Sequence, residues 1–114
     1  MTSSIKNIAV IGTGVIGTGW IIRFLFNQKK INVYDPQIKQ RKFLLNEIKR
    51  VEPILNKIYK KKINLSKKLK FNNSIKDAVN NVDLIQENAP ENETLKKNLI
   101  RKISEYSKKN SIIA

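Results

Sequence analysis

Ile8-Ala9-Val10-Ile11-Gly12-Thr13-Gly14-Val15-Ile16-Gly17 is the stretch that decides the fold of this 114-residue chain. Four apolar residues run straight into glycines at positions 12, 14 and 17. At a strand-to-helix junction this spacing lets a backbone approach a pyrophosphate: the first glycine makes the turn, the second admits the phosphates, the third lets the helix close on the strand. The helix that follows points free N–H groups and a positive dipole end at the same place. Three glycines alone also fit an ordinary loop. Asp35 decides between the two readings, because it closes a second apolar run about 20 residues on, where a ribose-binding acid belongs.

Working outward, residues 5–11 read as a first strand, apolar on both faces as a central parallel strand requires. A helix over 15–26 follows, with Ile16, Trp20, Ile21, Phe24 and Leu25 as its buried stripe and Asn27 as a left-handed cap. Residues 31–35 form a second strand, ended by Pro36. A long helical stretch covers 37–60, where Pro53 predicts a break or kink near Val51 or Glu52. Residues 69–71 make a short third strand, and Ser74 caps a short helix reaching Asn80. Residues 82–86 are a fourth strand. Ala89-Pro90-Glu91 opens a helix running to about Tyr106 through Leu95, Leu99, Ile100 and Ile103, and residues 111–114 begin a fifth strand. Alternating strands and helices predict an α/β fold of Rossmann type: a doubly wound parallel sheet, one domain over 1–114, incomplete at its C-terminal end. Right-handed crossovers then set Gly12, Asp35 and Glu87 along one rim.

Asp35 at that rim accepts hydrogen bonds from an adenosine ribose and repels a 2′-phosphate, so the cofactor read from the residues is NAD rather than NADP. The contacts fall to Gly12, Thr13, Gly14, Val15, Ile16 and Gly17, with Asp35 on the ribose. In the loop Gln86-Glu87-Asn88-Ala89-Pro90-Glu91, Glu91 fits equally an acid in a helix first turn and a functional group beside the nicotinamide half of the cofactor.

Composition bounds the rest. Cysteine and histidine are both absent, which excludes disulfides and thiolate metal sites and removes the commonest base and metal ligand. No metal ligand and no catalytic residue is assigned. The net charge of +14 raises a nucleic-acid reading. Lysine supplies 19 of the 23 positive charges, and Lys, Asn and Ile together make 51 of the 114 residues, a skew of polar and apolar positions alike. That pattern is a general composition bias. The one dense run extends from Lys57 through Lys60, Lys61, Lys62, Lys67 and Lys68 to Lys70; it reads as a solvated helix end and loop, the alternative being a small basic nucleic-acid-binding module. The apolar run 8–22 is shorter than the roughly 18 residues a span needs, contains four glycines, and precedes no cleavage pattern. No membrane association is expected, and a cytoplasmic location is.

The segments 8–20, Val33-Tyr34-Asp35-Pro36 and Leu84-Ile85-Gln86-Glu87-Asn88-Ala89-Pro90-Glu91 together resemble the 3-hydroxyacyl-CoA dehydrogenase superfamily, most of all its L-carnitine dehydrogenase and lambda-crystallin branch. The resemblance covers residues 5–114, with little detail over 39–73. It implies that Glu91 and Lys96 contact the nicotinamide-side ribose, Lys97 being the choice if the register slips by one. It implies an N-terminal fragment of a homodimeric NAD-dependent oxidoreductase acting on a small 3-hydroxy acid or 3-hydroxyacyl thioester. The family's Ser/Asn segment, histidine–glutamate pair, second asparagine and helical substrate domain all lie beyond the position of Ala114, so the chain alone is expected to be inactive. A standalone NAD-binding domain is the remaining alternative. The family's usual glycine at the helix end is replaced here by Asn27-Gln28.

Overall fold

A computed structural model describes residues 5–88 and 92–114. The strands are β1 (Asn7–Ile11), β2 (Lys30–Tyr34), β3 (Leu69–Phe71), β4 (Leu84–Glu87) and β5 (Ile112–Ile113). Between them lie α1 (Gly14–Phe26), α2 (Ile38–Tyr59), α3 (Ile75–Val79) and α4 (Glu93–Tyr106), with a 3-10 turn at Leu65–Lys68 before β3. All pairings are parallel and the order is β3-β2-β1-β4-β5, the strand order of a Rossmann sheet up to its fifth strand.

The period-2 geometry of β1 explains why both faces must be covered. Ile8 and Val10 point to one side, where they pack with Ile31 and Val33 of β2, Ile21 and Leu25 of α1, and Leu44 and Ile48 of α2. Ala9 and Ile11 point to the other, against Ala78 and Val79 of α3, Ile85 of β4 and Ile103 of α4. Burying a side chain of this size contributes about 1.5–3 kcal/mol, so neither face tolerates exposure.

Three local expectations need correction. The buried stripe of α1 is Gly17, Thr18, Ile21 and Leu25, while Ile16 is 72% exposed and Trp20 sits on the flank, stacked on Phe24 at 5.7 Å. The left-handed residue after α1 is Gln28 (φ 64°) and not Asn27 (φ −91°). Lys29 N–H donates to the Phe24 carbonyl and Gln28 N–H to that of Leu25, the paired bonds of a Schellman turn, and the Asn27 amide caps the Arg23 carbonyl at 2.8 Å. Finally, Pro53 does not break α2, which runs unbroken from Ile38 to Tyr59. Pro53 removes the helical partner of the Lys49 carbonyl, and both residues stand on the exposed side of the helix. Tertiary bonds hold the second half: Glu52 accepts from Leu65 N–H at 2.8 Å, and the Asn56 amide pairs with both backbone groups of Ile63.

That clasp carries the chain across the far end of the sheet. The lysine-rich run therefore lies at the rim opposite Gly12, where Lys68 bonds the Gln28 carbonyl at 3.0 Å and Lys61 stands 5.5 Å over the Phe26 ring. At the same rim Asp83 binds the start of β1, accepting from Asn7 N–H at 3.0 Å and Lys6 N–H at 2.9 Å, and from the Lys108 ammonium at 3.0 Å. The Asn7 and Lys6 backbone donors, then Lys108, hold its carboxyl well below the usual carboxylate range.

At the other rim α1 is seated by a close approach. A Cβ on Gly17 would stand 2.7 Å from the Gly12 carbonyl oxygen and 3.2 Å from the Asn88 amide nitrogen. Two measurements check these contacts. Gly17→Ala, which helix propensity alone would favour by about 1 kcal/mol, should instead destabilise by about 1–3 kcal/mol in urea titrations. Because the Asp83 pKa is depressed in the folded state, its stabilisation is complete above the unfolded value of about 3.9 and drains away below it. Asp83→Asn should therefore lower Tm by several degrees at neutral pH, with the gap to wild type closing as pH falls below about 4.

Candidate functional site

The rim formed by the C-terminal ends of β1, β2 and β4 is held by backbone bonds that outlast the strands. Gly12 N–H donates to the Tyr34 carbonyl at 2.8 Å, and Asn88 N–H to that of Ile11 at 2.9 Å. The Asn88 side chain then reaches the Gly12 carbonyl at 3.3 Å. β1 sits between β2 and β4, so the chain leaves it at the point where the strand order reverses, the crevice in which open α/β sheets bind ligands.

Asp35 organises this crevice. It is buried, and its Oδ2 accepts both from Thr13 N–H at 2.9 Å and from the Thr13 hydroxyl at 3.0 Å, while Oδ1 accepts from Gln37 N–H at 2.9 Å. A carboxylate offers about four acceptor positions, so one on Oδ1 stays open. Thr13 is the N-cap residue of α1, yet its side chain makes no capping bond to the helix; the hydroxyl is turned onto Asp35 and its oxygen accepts none of the helix's N–H groups. The first i→i−4 bond of α1 is from Gly17 N–H to the Thr13 carbonyl. The N–H groups of Gly14, Val15 and Ile16 are thus left without helical acceptors, and no acidic residue occupies the first turn. Gly14 has φ 62° and nothing within 4 Å of where a Cβ would stand, so the approach to these donors is open. The Val15 and Ile16 side chains, 78% and 72% exposed, lie outside the core.

Beside the loop is a cavity of about 370 Å³. Gly12, Thr13, Gly14, Asp35 and Gln37 line one side of it, Ile75 of α3 another, and Leu95, Asn98, Leu99 and Lys102 of α4 the far wall. The α4 residues are those that sequence reasoning missed. Leu95 and Leu99 belong to an amphipathic stripe that reads as core, but only Ile103 is fully buried, and Leu95 is 49% exposed at the cavity. The signal was present in the spacing 95, 98, 99, 102, which marks one helix face with polar residues inside an apolar strip.

On the β4 side, Lys96 stands 3.5 Å from Glu87, whose side chain is 4% exposed. Glu91 lies outside the described residues; α4 opens after it, with the Asn92 side chain accepting from Leu95 N–H. The structure brings Gly12, Thr13, Gly14, Gly17 and Asp35 into one constellation and sets Lys96 at the same rim. Among the described residues no group of three His, Cys, Asp or Glu could hold a metal ion, and no helix is long and apolar enough to cross a membrane.

The donor set fits a dinucleotide: uncapped N–H groups for a pyrophosphate, a buried carboxylate for a ribose, and a mostly apolar cavity for a base. Comparison with known proteins agrees. The L-carnitine dehydrogenase of Bacillus cereus is 38% identical over 112 residues, covering 98% of this chain and 34% of that protein. That of Oceanobacillus iheyensis is 37% identical, covering 95% and 35%. The chain thus spans about a third of the length of the curated relatives it matches. Among solved structures, the (S)-3-hydroxybutyryl-CoA dehydrogenase of Ralstonia eutropha superimposes with a TM-score of 0.81 at 20% identity, over 96% of this chain and 40% of that one, a likeness of fold. An NAD+-dependent FHMPC 5-dehydrogenase does so with a TM-score of 0.81 at 27% identity, over 96% and 36%. The family described as "3-hydroxyacyl-CoA dehydrogenase, NAD binding domain" matches residues 7–114, and the chain belongs to it.

Proposed function

We propose that this chain is the cofactor-binding part of an NAD-dependent oxidoreductase that oxidises a 3-hydroxy acid or 3-hydroxyacyl thioester, of the L-carnitine or 3-hydroxyacyl-CoA type. The observation that carries the reading is the Thr13–Asp35 pair, which at once leaves the α1 donors uncapped and holds a buried carboxylate at the ribose position. When bound, NAD supplies the hydride acceptor.

The chain's own residues bind and orient. N–H groups of Gly14, Val15 and Ile16, with the α1 dipole, hold the pyrophosphate. The open position on Asp35 Oδ1 takes a ribose hydroxyl, and the Thr13 hydroxyl offers its lone pairs beside it. Lys96, with Glu91, serves the nicotinamide-side ribose. Histidine is absent from all 114 residues, so proton abstraction falls to groups outside them, and the chain by itself is inactive. Substrate pocket and dimer contacts lie outside them as well. The lack of cysteine supports a reducing compartment, and we place the protein in the cytoplasm.

Titration with NADH, followed through quenching of Trp20, the one tryptophan, tests this. Saturable binding is expected, at least about tenfold tighter than for NADPH, since a 2′-phosphate would meet the Asp35 carboxylate. Asp35→Ala should narrow that ratio. The ratio separates recognition from any loss of loop stability, and equal affinity for the two cofactors in wild type would sink the assignment of Asp35.

A further inference from the structure

We propose that Asn98 reads the base of the dinucleotide, its carboxamide pairing with the amino-bearing edge of adenine at the mouth of the rim cavity. The inference rests on the reading of the chain as an NAD-binding unit and extends it to a wall of the site that the glycine loop does not reach.

The cavity has two unlike sides. Around the loop Asp35 is bonded to Thr13 and to the Gln37 backbone, and Asn88 to Gly12, while the Gln37 side chain stands at the rim beyond them. The α4 wall differs. Leu95, Asn98, Leu99 and Lys102 occupy positions i, i+3, i+4 and i+7, a single helix face. Leu99 is half-buried, packed against the core that Ile103 fills, and Leu95 is about half exposed, and both line the cavity. With Ile75 they give the cavity apolar surface, the kind of lining that takes the face of a flat ring. Asn98 and Lys102 line the same cavity, and among the described residues no hydrogen bond or ion pair holds either side chain.

Their chemistries divide the work. An ammonium only donates, whereas a carboxamide donates and accepts side by side. The edge of adenine that carries the exocyclic amine also presents a donor beside a ring-nitrogen acceptor, the complement of an asparagine amide. On the edge that sets this amine beside N7, hypoxanthine carries a carbonyl in its place, two acceptors face the amide, and one of the two bonds is lost. Such a pair discriminates by about tenfold or more. Asn98 is then a specificity-determining residue contributed by α4.

The test is equilibrium binding of NADH and of reduced nicotinamide hypoxanthine dinucleotide to the wild-type chain, Asn98→Leu, Asn98→Ala and Lys102→Met, with circular dichroism verifying each fold. Position 98 is exposed and helical, and both replacements are good helix formers. Wild type and Lys102→Met should prefer the adenine dinucleotide by about tenfold, and both Asn98 variants should bind the two within about twofold of each other. A wild type without preference, or a preference that survives in both Asn98 variants, overturns the role of Asn98 while leaving NAD binding intact. Absence of binding by either dinucleotide removes the cofactor reading itself, and this inference with it.

Discussion

The bond pair between Thr13 and Asp35 is the contact on which the site depends, because it joins two strands' ends and sets the state of a helix. Thr13 leaves β1 and Asp35 leaves β2, and one carboxylate oxygen takes both the backbone and the hydroxyl proton of the same residue. A threonine at the start of a helix ordinarily turns its oxygen onto the helix's own N–H groups, worth about 1 kcal/mol. Here the hydroxyl is drawn to the carboxylate, and the helix forgoes that stabilisation. The forgone cap is what keeps the donors of Gly14, Val15 and Ile16 available. Local instability at the helix end and competence to bind an anion are therefore one fact.

That contact is possible only because the sheet places its partners together. β1 pairs with β2 in register from Asn7–Lys30 to Ile11–Tyr34, so the residues just beyond each strand emerge side by side. The pairing in turn needs β1 to be apolar on alternate sides, with Ile8 and Val10 in one core and Ala9 and Ile11 in the other. Slipping the register by one residue would exchange the two sets and separate Thr13 from Asp35. On the other side of β1, Asp83 ties the start of β4 to the backbone of Lys6 and Asn7 at the far end. One carboxylate thus secures each end of β1, Asp35 toward β2 and Asp83 toward β4.

Where the sequence was legible follows from this. The glycine spacing, Asp35 and the Ser74 cap are each a residue type demanded by a local geometry, and each stands where that geometry predicts. The α1 stripe was misread by one flank because Ile16 and Trp20 satisfy helical periodicity as well as the residues that are buried; periodicity gives a face but not its rotation. Pro53 was misread because its cost depends on whether Lys49 is wet, a tertiary fact. The α4 wall was illegible for a related reason. A leucine that lines a cavity and a leucine that fills a core have the same spacing, and only what packs against them distinguishes the two.

Glycine usage makes the same point from composition. The chain has four glycines, at 12, 14, 17 and 19, all within one turn and the helix it starts. Elsewhere its left-handed positions are made by Gln28, Lys60 and Asn81, at φ 64°, 53° and 58°. Each such residue carries a steric cost of roughly 1–2 kcal/mol that glycine would avoid. A chain that accepts lysine and glutamine in left-handed turns is not using glycine as general turn material. In the loop the demand is different in kind. Gly14 takes φ 62° in open space, and a Cβ at Gly17 would strike the Gly12 carbonyl. Gly19 meets neither constraint, with open space around it. The close approach at Gly17, beyond the positive φ that Gln28, Lys60 and Asn81 also adopt, sets this loop apart from an ordinary turn.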